Sequence, residues 1–240
     1  MKFAIFGDIH ANLEALEAIL LDAADQDCTH FTCIGDIVGY NANPRECMRV
    51  VQQLDCPVVK GNHDEEASMS TEIVGLNPLA HRALEWTRDA LSESDKEWLQ
   101  ELRFVRQVRD FTIVHATLDS PSDWNYVTNK FDAMASFAYQ FTPVCFFGHT
   151  HTPRFYVKDQ NVQLEMGDTI RLEEARKYFI NVGSVGQPRD GDWRASYAVY
   201  DVDNQVVTVR RLDYDIKKAQ EKILKAGLPE MLANRLTLGK

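Results

Sequence analysis

Apolar residues occur along the chain in short runs, and several of these runs end at a glycine followed by polar residues. The first run, residues 3–6, is apolar at every position and leads to Gly7, Asp8 and, two positions on, His10. A run that is apolar on both faces is typical of a strand buried in a covered sheet. Open α/β sheets bind ligands beyond the carboxyl ends of their strands, so the pattern predicts a ligand site at Asp8 and His10.

Two more runs of this kind follow within the first 60 residues. Residues 31–34 end at Gly35-Asp36, and residues 57–60 end at Gly61-Asn62-His63-Asp64. Between the runs, apolar residues recur at helical spacing, beginning after Asn12, which is a suitable N-cap residue. The alternation of strands and helices predicts a parallel layer of sheet with a polar cluster at the end of each strand.

The pattern between residues 65 and 103 is helical and contains no cluster of ligand-like residues. Ser94 and Glu97 have the spacing of a capping box at the start of one of its helices. We interpret this region as a helical insertion beside the site. His81 within it, and His30 earlier in the chain, are predicted to be packing or surface residues because neither belongs to a motif.

The second half of the chain is predicted to be richer in strands. A hairpin over residues 104–114 leads to His115, and a buried strand over residues 143–147 leads to His149 and His151. The remaining elements are expected to be a helix at 132–141, strands at 178–182, 196–202 and 205–212, and a helix from about residue 216.

Composition indicates one ordinary globular domain spanning residues 1–240. Hydrophobic residues make up 45% and charged residues 26%, and no linker divides the chain. No stretch could span a bilayer and no signal peptide is visible, so we expect a cytoplasmic protein without a membrane partner. The five cysteines include no Cys-x-x-Cys and are expected to be reduced. A net charge of −10 argues against a nucleic-acid polymer as the binding partner, whereas small phosphorylated substrates remain compatible with it. The sequence does not determine whether the protein forms a homo-oligomer.

The residues that follow the predicted strands are rich in metal-ligand chemistry and include five of the seven histidines. They are Asp8, His10, Asp36, Asn62, His63, His115, His149 and His151. Mixed imidazole and carboxylate ligands suit transition ions such as manganese, iron or zinc, and the set is too large for one ion. Two ions about 3.5–4 Å apart polarise a phosphoryl group and generate hydroxide at neutral pH. The pattern therefore indicates a dinuclear centre that attracts phosphate even in an acidic protein.

These motifs, in this order, resemble the signature of the calcineurin-like metallophosphoesterase superfamily. Their spacing matches over residues 1–190. The small size of the chain and the segments around Gly35 and Gly183 are similar to the short prokaryotic phosphoesterase branch. The resemblance implies an α/β fold, a four-layer α/β/β/α sandwich of two mixed sheets flanked by helices.

The resemblance also implies a role for each site residue. Asp8, His10 and His151 would bind one metal ion, Asn62, His115 and His149 would bind the other, and Asp36 would bridge the two. Asn62 and His63 would contact the substrate, and His63 would contact or protonate the leaving group. The cofactors would be two divalent transition ions, with Mn²⁺ the first expectation and iron, zinc and nickel the alternatives.

Arg189 is a further candidate for substrate binding, because it lies in the loop formed by residues 183–190, rich in glycine and close to a proline. A guanidinium group pairs bidentately with phosphate, so this side chain could hold the substrate. An ion pair with Asp190 or Asp192 is the alternative.

Three functions are consistent with the sequence. The first is a metal-dependent hydrolase of phosphate mono- or diesters that uses a metal-bridging hydroxide. The second is a protein or dinucleotide-polyphosphate phosphatase. The third is a non-catalytic protein-interaction scaffold, the role of the retromer subunit that resembles this fold. The presence of His63 and of a complete ligand set favours an enzyme, because a scaffold needs neither a general acid nor an open metal site.

Overall fold

Two β-sheets pack face to face in the computed structural model, which describes residues 1–73, 75 and 77–240. The strands are β1 (Lys2–Phe6), β2 (His30–Cys33), β3 (Val105–Val108), β4 (Phe111–Val114), β5 (Val144–Phe147), β6 (Arg154–Lys158), β7 (Val162–Glu165), β8 (Thr169–Arg171), β9 (Lys177–Asn181), β10 (Ala195–Asp201) and β11 (Val206–Leu212). The helices are α1 (Leu13–Asp25), α2 (Pro44–Gln53), α3 (Asn62–Ser68), α4 (Pro78–Ala90), α5 (Glu93–Glu101), α6 (Lys130–Tyr139), α7 (Ile216–Lys225) and α8 (Glu230–Leu236).

Both sheets are mixed. The first has the strand order β2-β1-β10-β11-β8, with β1 parallel to β2 and antiparallel to β10. The second has the order β3-β4-β5-β9-β6-β7, with β4, β5 and β9 parallel to one another. The carboxyl ends of the parallel strands β1 and β2 lie at the same end of the first sheet, and those of β4 and β5 lie at the same end of the second. This arrangement decides where the polar clusters that follow these strands can meet.

The side chains of β1 explain why its sequence is apolar at every position. Phe3 and Ile5 face the second sheet, where the ring of Phe3 meets that of Phe111 at a centroid distance of 5.1 Å. Ala4 and Phe6 face the other way and belong to the cluster that includes Leu16 of α1. A strand with apolar neighbours on both faces has no position for a polar side chain.

Helices cover the outer face of each sheet. The outer cluster of the first sheet includes buried residues of α1, α2, α4, α5, α7 and α8. On the second sheet, Phe137 of α6 packs against Phe179, whose ring stacks on Phe147 at 4.0 Å. The four-layer α/β/β/α sandwich that the resemblance implied is therefore confirmed.

Several local predictions differ from the structure. Residues 57–60 form only isolated bridges, because they meet each neighbouring segment at one residue: Cys33, the last residue of β2, pairs with Val58, and Arg103 pairs with Val59. The capping box of α5 is formed by Ser92 and Asp95, not by Ser94 and Glu97. Strands β6, β7 and β8 and helix α8 were not expected.

The range 65–103 contains the end of α3 and all of α4 and α5, and its residues 74 and 76 lie outside the described part. All five cysteines are free thiols. In the described residues, none of the helices has the length and apolar character that crossing a membrane requires.

Candidate metal centre

The strand ends of both sheets converge on one buried cluster. Asp8 follows β1, Asp36 follows β2, His115 follows β4, and His149 and His151 follow β5. All five side chains are buried. Side chains from both sheets therefore meet at the same edge of the sandwich.

The backbone after these strands turns sharply, which directs the side chains into the cluster. Asp8, His10, Asp36, His149 and His151 all have left-handed backbone conformations, with φ between 48° and 65°. Non-glycine residues rarely adopt this conformation, and it concentrates at functional sites, where surrounding structure holds it in place. Here the Asp8 N–H donates to the Gly35 carbonyl at 2.9 Å, which couples the first two ligand loops.

Two glycines leave room for the carboxylates. A Cβ atom on Gly61 would lie 2.1 Å from Asp36 Oδ1, and one on Gly148 would lie 2.2 Å from Asp8 Oδ2. Neither glycine has a positive φ, so close approach of the carboxylates, rather than backbone conformation, requires these glycines.

The side chains form two groups with one shared member. In the first group, Asp8, His10, Asp36 and His151 bring their ligand atoms within 4.8 Å of one another. In the second group, Asp36, His115 and His149 do the same. The carboxylate that was predicted to bridge two ions is thus the one that belongs to both groups.

The first group contains two imidazole nitrogens that face each other. Nε2 of His10 lies 3.1 Å from Nε2 of His151. Each Nδ1 contacts a carbonyl oxygen, of Val38 at 3.2 Å and of Gln187 at 2.6 Å, so each Nδ1 carries the hydrogen. Burial lowers the pKa of both rings well below the usual value, so both Nε2 atoms present lone pairs. Two lone pairs that face one point are suited to a cation.

The second group also contains two imidazole nitrogens that face each other. Nε2 of His115 lies 3.2 Å from Nδ1 of His149, and the opposite nitrogens donate to the carbonyls of Ile34 and Trp124, both at 2.8 Å. Burial lowers the pKa of His149 to about 3. Burial also opposes protonation of His115, but the charge of Asp36 and a hydrogen bond to it raise the pKa of His115 to about 9. A positive charge beside Asp36 is therefore favoured in this group.

The two carboxylates differ in pKa. Burial raises the pKa of Asp8, and the nearby charge of Asp36 adds to this effect. Burial also disfavours ionised Asp36, but the charges of His115 and His63 and a hydrogen bond from His115 outweigh it and hold the pKa of Asp36 well below its usual value.

Asn62 and His63 begin α3 beside this cluster. Oδ1 of Asn62 and Nδ1 of His63 are buried and have no hydrogen-bond partner among the described residues. Both atoms thus have the free electron pairs or hydrogens that a bound ion or substrate would satisfy. The His63 N–H donates to Asp36 Oδ1 at 2.8 Å, and burial lowers the pKa of its ring to about 4.

Asp64 was not predicted to have a role, although it follows Asn62-His63 directly. Its carboxylate accepts hydrogen bonds from the N–H groups of Ile37 at 2.8 Å and Gly61 at 3.0 Å. Burial, aided by the charge of Asp36, raises its pKa to about 7. Asp64 therefore ties the Asp36 loop to the start of α3 and positions both.

Arg189 does not form the ion pair that was its alternative role. Its Nη2 donates to Gln187 Oε1 at 3.0 Å and contacts the hydroxyl of Tyr40 at 3.4 Å. Asp190 pairs instead with Arg211, and Asp192 pairs with Arg194. The Nε atom of Arg189 is buried without a partner among the described residues. The hydrogen-bond partners of the guanidinium group are thus neutral, and the group keeps free hydrogen-bonding capacity.

The two histidines outside the motifs lie away from the cluster. His81 is partly exposed, and its Nδ1 lies 3.6 Å from Oε2 of Glu85 on the same helix. His30 is exposed and its ring packs on Phe3.

Two cavities differ in their relation to the cluster. A cavity of 280 Å³ is lined by Tyr126, Thr150, Arg154 and Arg189, next to the metal-ligand loop. A cavity of 760 Å³ lies between α6 and the β6–β7 hairpin and is lined by none of the predicted ligands. Size alone therefore does not identify the site.

Comparison with known proteins agrees with this geometry. The family model described as the calcineurin-like phosphoesterase superfamily domain matches residues 1–205. A protein of Methanocaldococcus jannaschii, named uncharacterized protein MJ0912, is 37% identical over 99% of this chain and 98% of its own length. A metallophosphoesterase from Sphaerobacter thermophilus is 39% identical, with a TM-score of 0.90, over 100% of this chain and 99% of its own. The hypothetical protein PH1004 from Pyrococcus horikoshii OT3, 18% identical over 100% of this chain and 98% of its own with a TM-score of 0.83, shares the fold.

Proposed function

The chain belongs to the calcineurin-like phosphoesterase superfamily, and from this premise we propose that it hydrolyses small phosphorylated substrates with two divalent transition ions bound at the candidate metal centre. One observation carries the proposal: Asp36 is the member common to two separate groups of buried ligands. A single carboxylate that serves two groups is the arrangement that a pair of bridged ions needs.

The donor atoms fit such ions. Asp8, His10 and His151 would hold one ion, and Asn62, His115 and His149 would hold the other. The facing imidazole nitrogens of each group and the unpaired oxygen of Asn62 support this set. Mixed imidazole and oxygen ligands suit Mn²⁺, with iron, zinc and nickel as alternatives. When bound, the two ions would polarise the phosphoryl group and activate water at neutral pH.

The protein side chains orient the substrate. Arg189 is available to pair with a phosphate oxygen, because its present partners are neutral. The ring of His63 packs against those of His10 and Tyr40, at 4.7 and 4.4 Å, which fixes it beside the cluster. With a pKa near 4, His63 is neutral at pH 7 in the free protein. A bound phosphate anion would favour its protonated form and so prepare it to donate a proton to the leaving group.

A substrate panel with controlled metal content tests the proposal. The protein is stripped of metal, reloaded with Mn²⁺, Fe²⁺, Zn²⁺ or Ni²⁺, and assayed with nitrophenyl phosphate mono- and diesters, a phosphopeptide and a dinucleotide polyphosphate. We expect metal-dependent hydrolysis that a chelator abolishes. The preferred compound separates a general phosphoesterase from a protein or dinucleotide-polyphosphate phosphatase. Full metal occupancy without turnover of any compound would favour the interaction scaffold.

A further inference from the structure

We propose that the 280 Å³ cavity beside the metal centre binds a second anionic group, so that the substrates are phosphate esters carrying a further phosphate on one ester substituent. This inference rests on the proposed phosphoesterase function and adds the substrate class. It comes from the position of the cavity, from the charge of its lining and from the absence of internal partners for that charge among the described residues.

The cavity lies directly against the proposed metal ligands. The ring of Tyr126, which lines it, stacks on the ring of His149 at a centroid distance of 4.3 Å and an interplanar angle of 21°. Thr150, also in the lining, lies between His149 and His151 in the chain. An ester substituent that extends from a phosphoryl group at the metal centre towards Tyr126 would enter the cavity.

Two arginines give the cavity a positive lining. Arg154 and Arg189 both contribute to it, and neither pairs with a carboxylate among the described residues. The guanidinium group of Arg154 makes no hydrogen bond within that part of the chain, and that of Arg189 contacts only the neutral Gln187 and Tyr40. Two guanidinium groups that line one cavity and have no carboxylate partner among the described residues are suited to a phosphate, which a guanidinium group can bind with two parallel hydrogen bonds.

Arginines elsewhere in the chain mostly either pair with a carboxylate or are exposed to solvent. The pairs include Arg88 with Glu66, Arg176 with Glu173, Arg194 with Asp192, Arg210 with Asp22 and Arg211 with Asp190. Arg49, Arg103, Arg106, Arg109 and Arg171 form no ion pair among the described residues but are exposed, whereas Arg154 and Arg189 are half-buried. Acidic residues outnumber basic ones, 36 to 26, so partners are abundant. Arginines that line a cavity and pair with none of them point to an anion from outside the chain.

The remaining lining suits the rest of such a substrate. The side chain of Tyr126 is 55% exposed although one face of its ring covers His149, so the other face is open to a flat group of the ester substituent. The hydroxyl of Thr152 donates to the Thr150 carbonyl at 3.4 Å, a long contact that it can exchange for a phosphate oxygen. The cavity therefore combines an aromatic surface with hydrogen-bond donors.

Two substrates that differ by one phosphate group test this inference. They are thymidine 5′-(4-nitrophenyl phosphate) and the same compound phosphorylated at the 3′ position, and nitrophenolate release is followed with the metal-loaded protein. We expect the 3′-phosphate to lower KM roughly tenfold, the effect of one additional charge-assisted interaction. Arg154→Gln should remove this difference and leave the kinetics with the singly charged ester unchanged.

Arg106→Gln is the matched control. Arg106 lies on β3 of the same sheet as Arg154, is exposed, has no ion pair among the described residues and does not line the cavity. Its substitution should leave both KM values at the wild-type level. Thermal melts of both variants verify that they are folded.

A binding measurement tests the inference independently of turnover. Thymidine 3′,5′-bisphosphate and thymidine 5′-monophosphate are titrated calorimetrically into the metal-loaded protein, and Arg154→Gln should weaken only the bisphosphate. Equal affinities and equal KM values, with both esters hydrolysed, would overturn the second anion subsite and leave the phosphoesterase intact. Failure to hydrolyse either ester would count against the proposed function, while selective bisphosphate binding that depends on Arg154 would still support the subsite.

Discussion

Asp36 is the residue on which the proposed dinuclear centre depends most directly. Asp36→Asn should reduce binding of both ions, because a neutral amide removes the charge that both ligand groups share. His151→Ala should mainly empty one site, because His151 belongs to the first group only. Elemental analysis after metal loading measures the stoichiometry. Two ions in the Asp36→Asn variant would contradict the bridging role, and a wild-type stoichiometry of one or less would contradict the dinuclear centre.

Substitution of His63 tests whether this residue donates a proton to the leaving group. A nitrophenolate leaves readily without help, whereas an alkoxide needs a proton, and a positioned general acid typically contributes ~10²–10⁴-fold. His63→Ala should therefore reduce kcat by about this factor for an alkyl phosphate diester and far less for a nitrophenyl diester. Both assays require protein with unchanged metal content, because the His63 N–H also supports Asp36. Equal losses on the two diesters would instead assign His63 to holding the phosphate.

The candidate ligands could be predicted from the sequence because each belongs to a short motif that follows an apolar run. Asp8 and Asp36 stand immediately after strand-ending residues and glycine. Tyr126, Arg154 and the bonding of Asp64 could not be predicted in this way. Their neighbours are distant in the chain or are main-chain atoms of other loops, as in the contact of Tyr126 with His149. Amino-acid composition and the spacing of residues along the chain do not indicate such contacts.

At the level of elements, Asp22 links α1 to the first sheet. Its carboxylate accepts two hydrogen bonds from Arg210 of β11, at 2.6 and 2.7 Å, and one from the hydroxyl of Tyr197 of β10 at 2.6 Å. Burial alone would raise the pKa of Asp22, but the hydrogen bonds from Arg210 and Tyr197 lower it. A carboxylate with a lowered pKa stabilises the fold above its ordinary pKa, and this contribution is lost as the pH falls through the folded-state pKa.

Asp22→Asn should accordingly reduce the free energy of unfolding by about 1.5–3 kcal/mol at pH 7, the range for hydrogen bonds to a charged group. The difference from wild type should shrink as the pH falls below about 4, where the carboxyl group of the unfolded chain becomes protonated, and should vanish once the pH is below the lowered pKa of the folded state. Urea unfolding at several pH values measures it. Asp25→Asn, an exposed position on the same helix, is the control and should change little. A deficit that stayed constant down to pH 2 would exclude the ionic contribution.

Elements with a full apolar face were predictable and marginal ones were not. Strands β1, β4 and β5 and helix α1 have continuous buried faces, so their periodicity is strong. Strand β7 alternates but is largely exposed, and β8 has three residues, which is too short for a period to be recognised. Residues 57–60 show the opposite case: the sequence has the composition of a strand, but the sheet offers only isolated bridges.

On the scale of the whole molecule, the candidate metal centre joins the two sheets. Asp8 and Asp36 come from the first sheet, while His115, His149 and His151 come from the second, so each ligand group contains side chains of both. The interior between the sheets is filled independently by apolar residues such as Phe3, Phe111 and Phe146. The sandwich should therefore persist without metal but unfold at a lower temperature, because bound ions would link the two sheets.

Removal of metal should lower the Tm without unfolding the protein at 25 °C. An ion present at 100 times its Kd stabilises the native state by about 2.7 kcal/mol, which corresponds to a Tm change of roughly 5–10 °C for a chain of this size. Calorimetry of protein with and without Mn²⁺ measures the change, and far-UV circular dichroism at 25 °C should be the same for both. Asp36→Asn serves as the control, because its Tm should respond little to Mn²⁺. If the wild-type Tm did not change although elemental analysis confirmed that two ions had been removed, the ions could not be linking the two sheets.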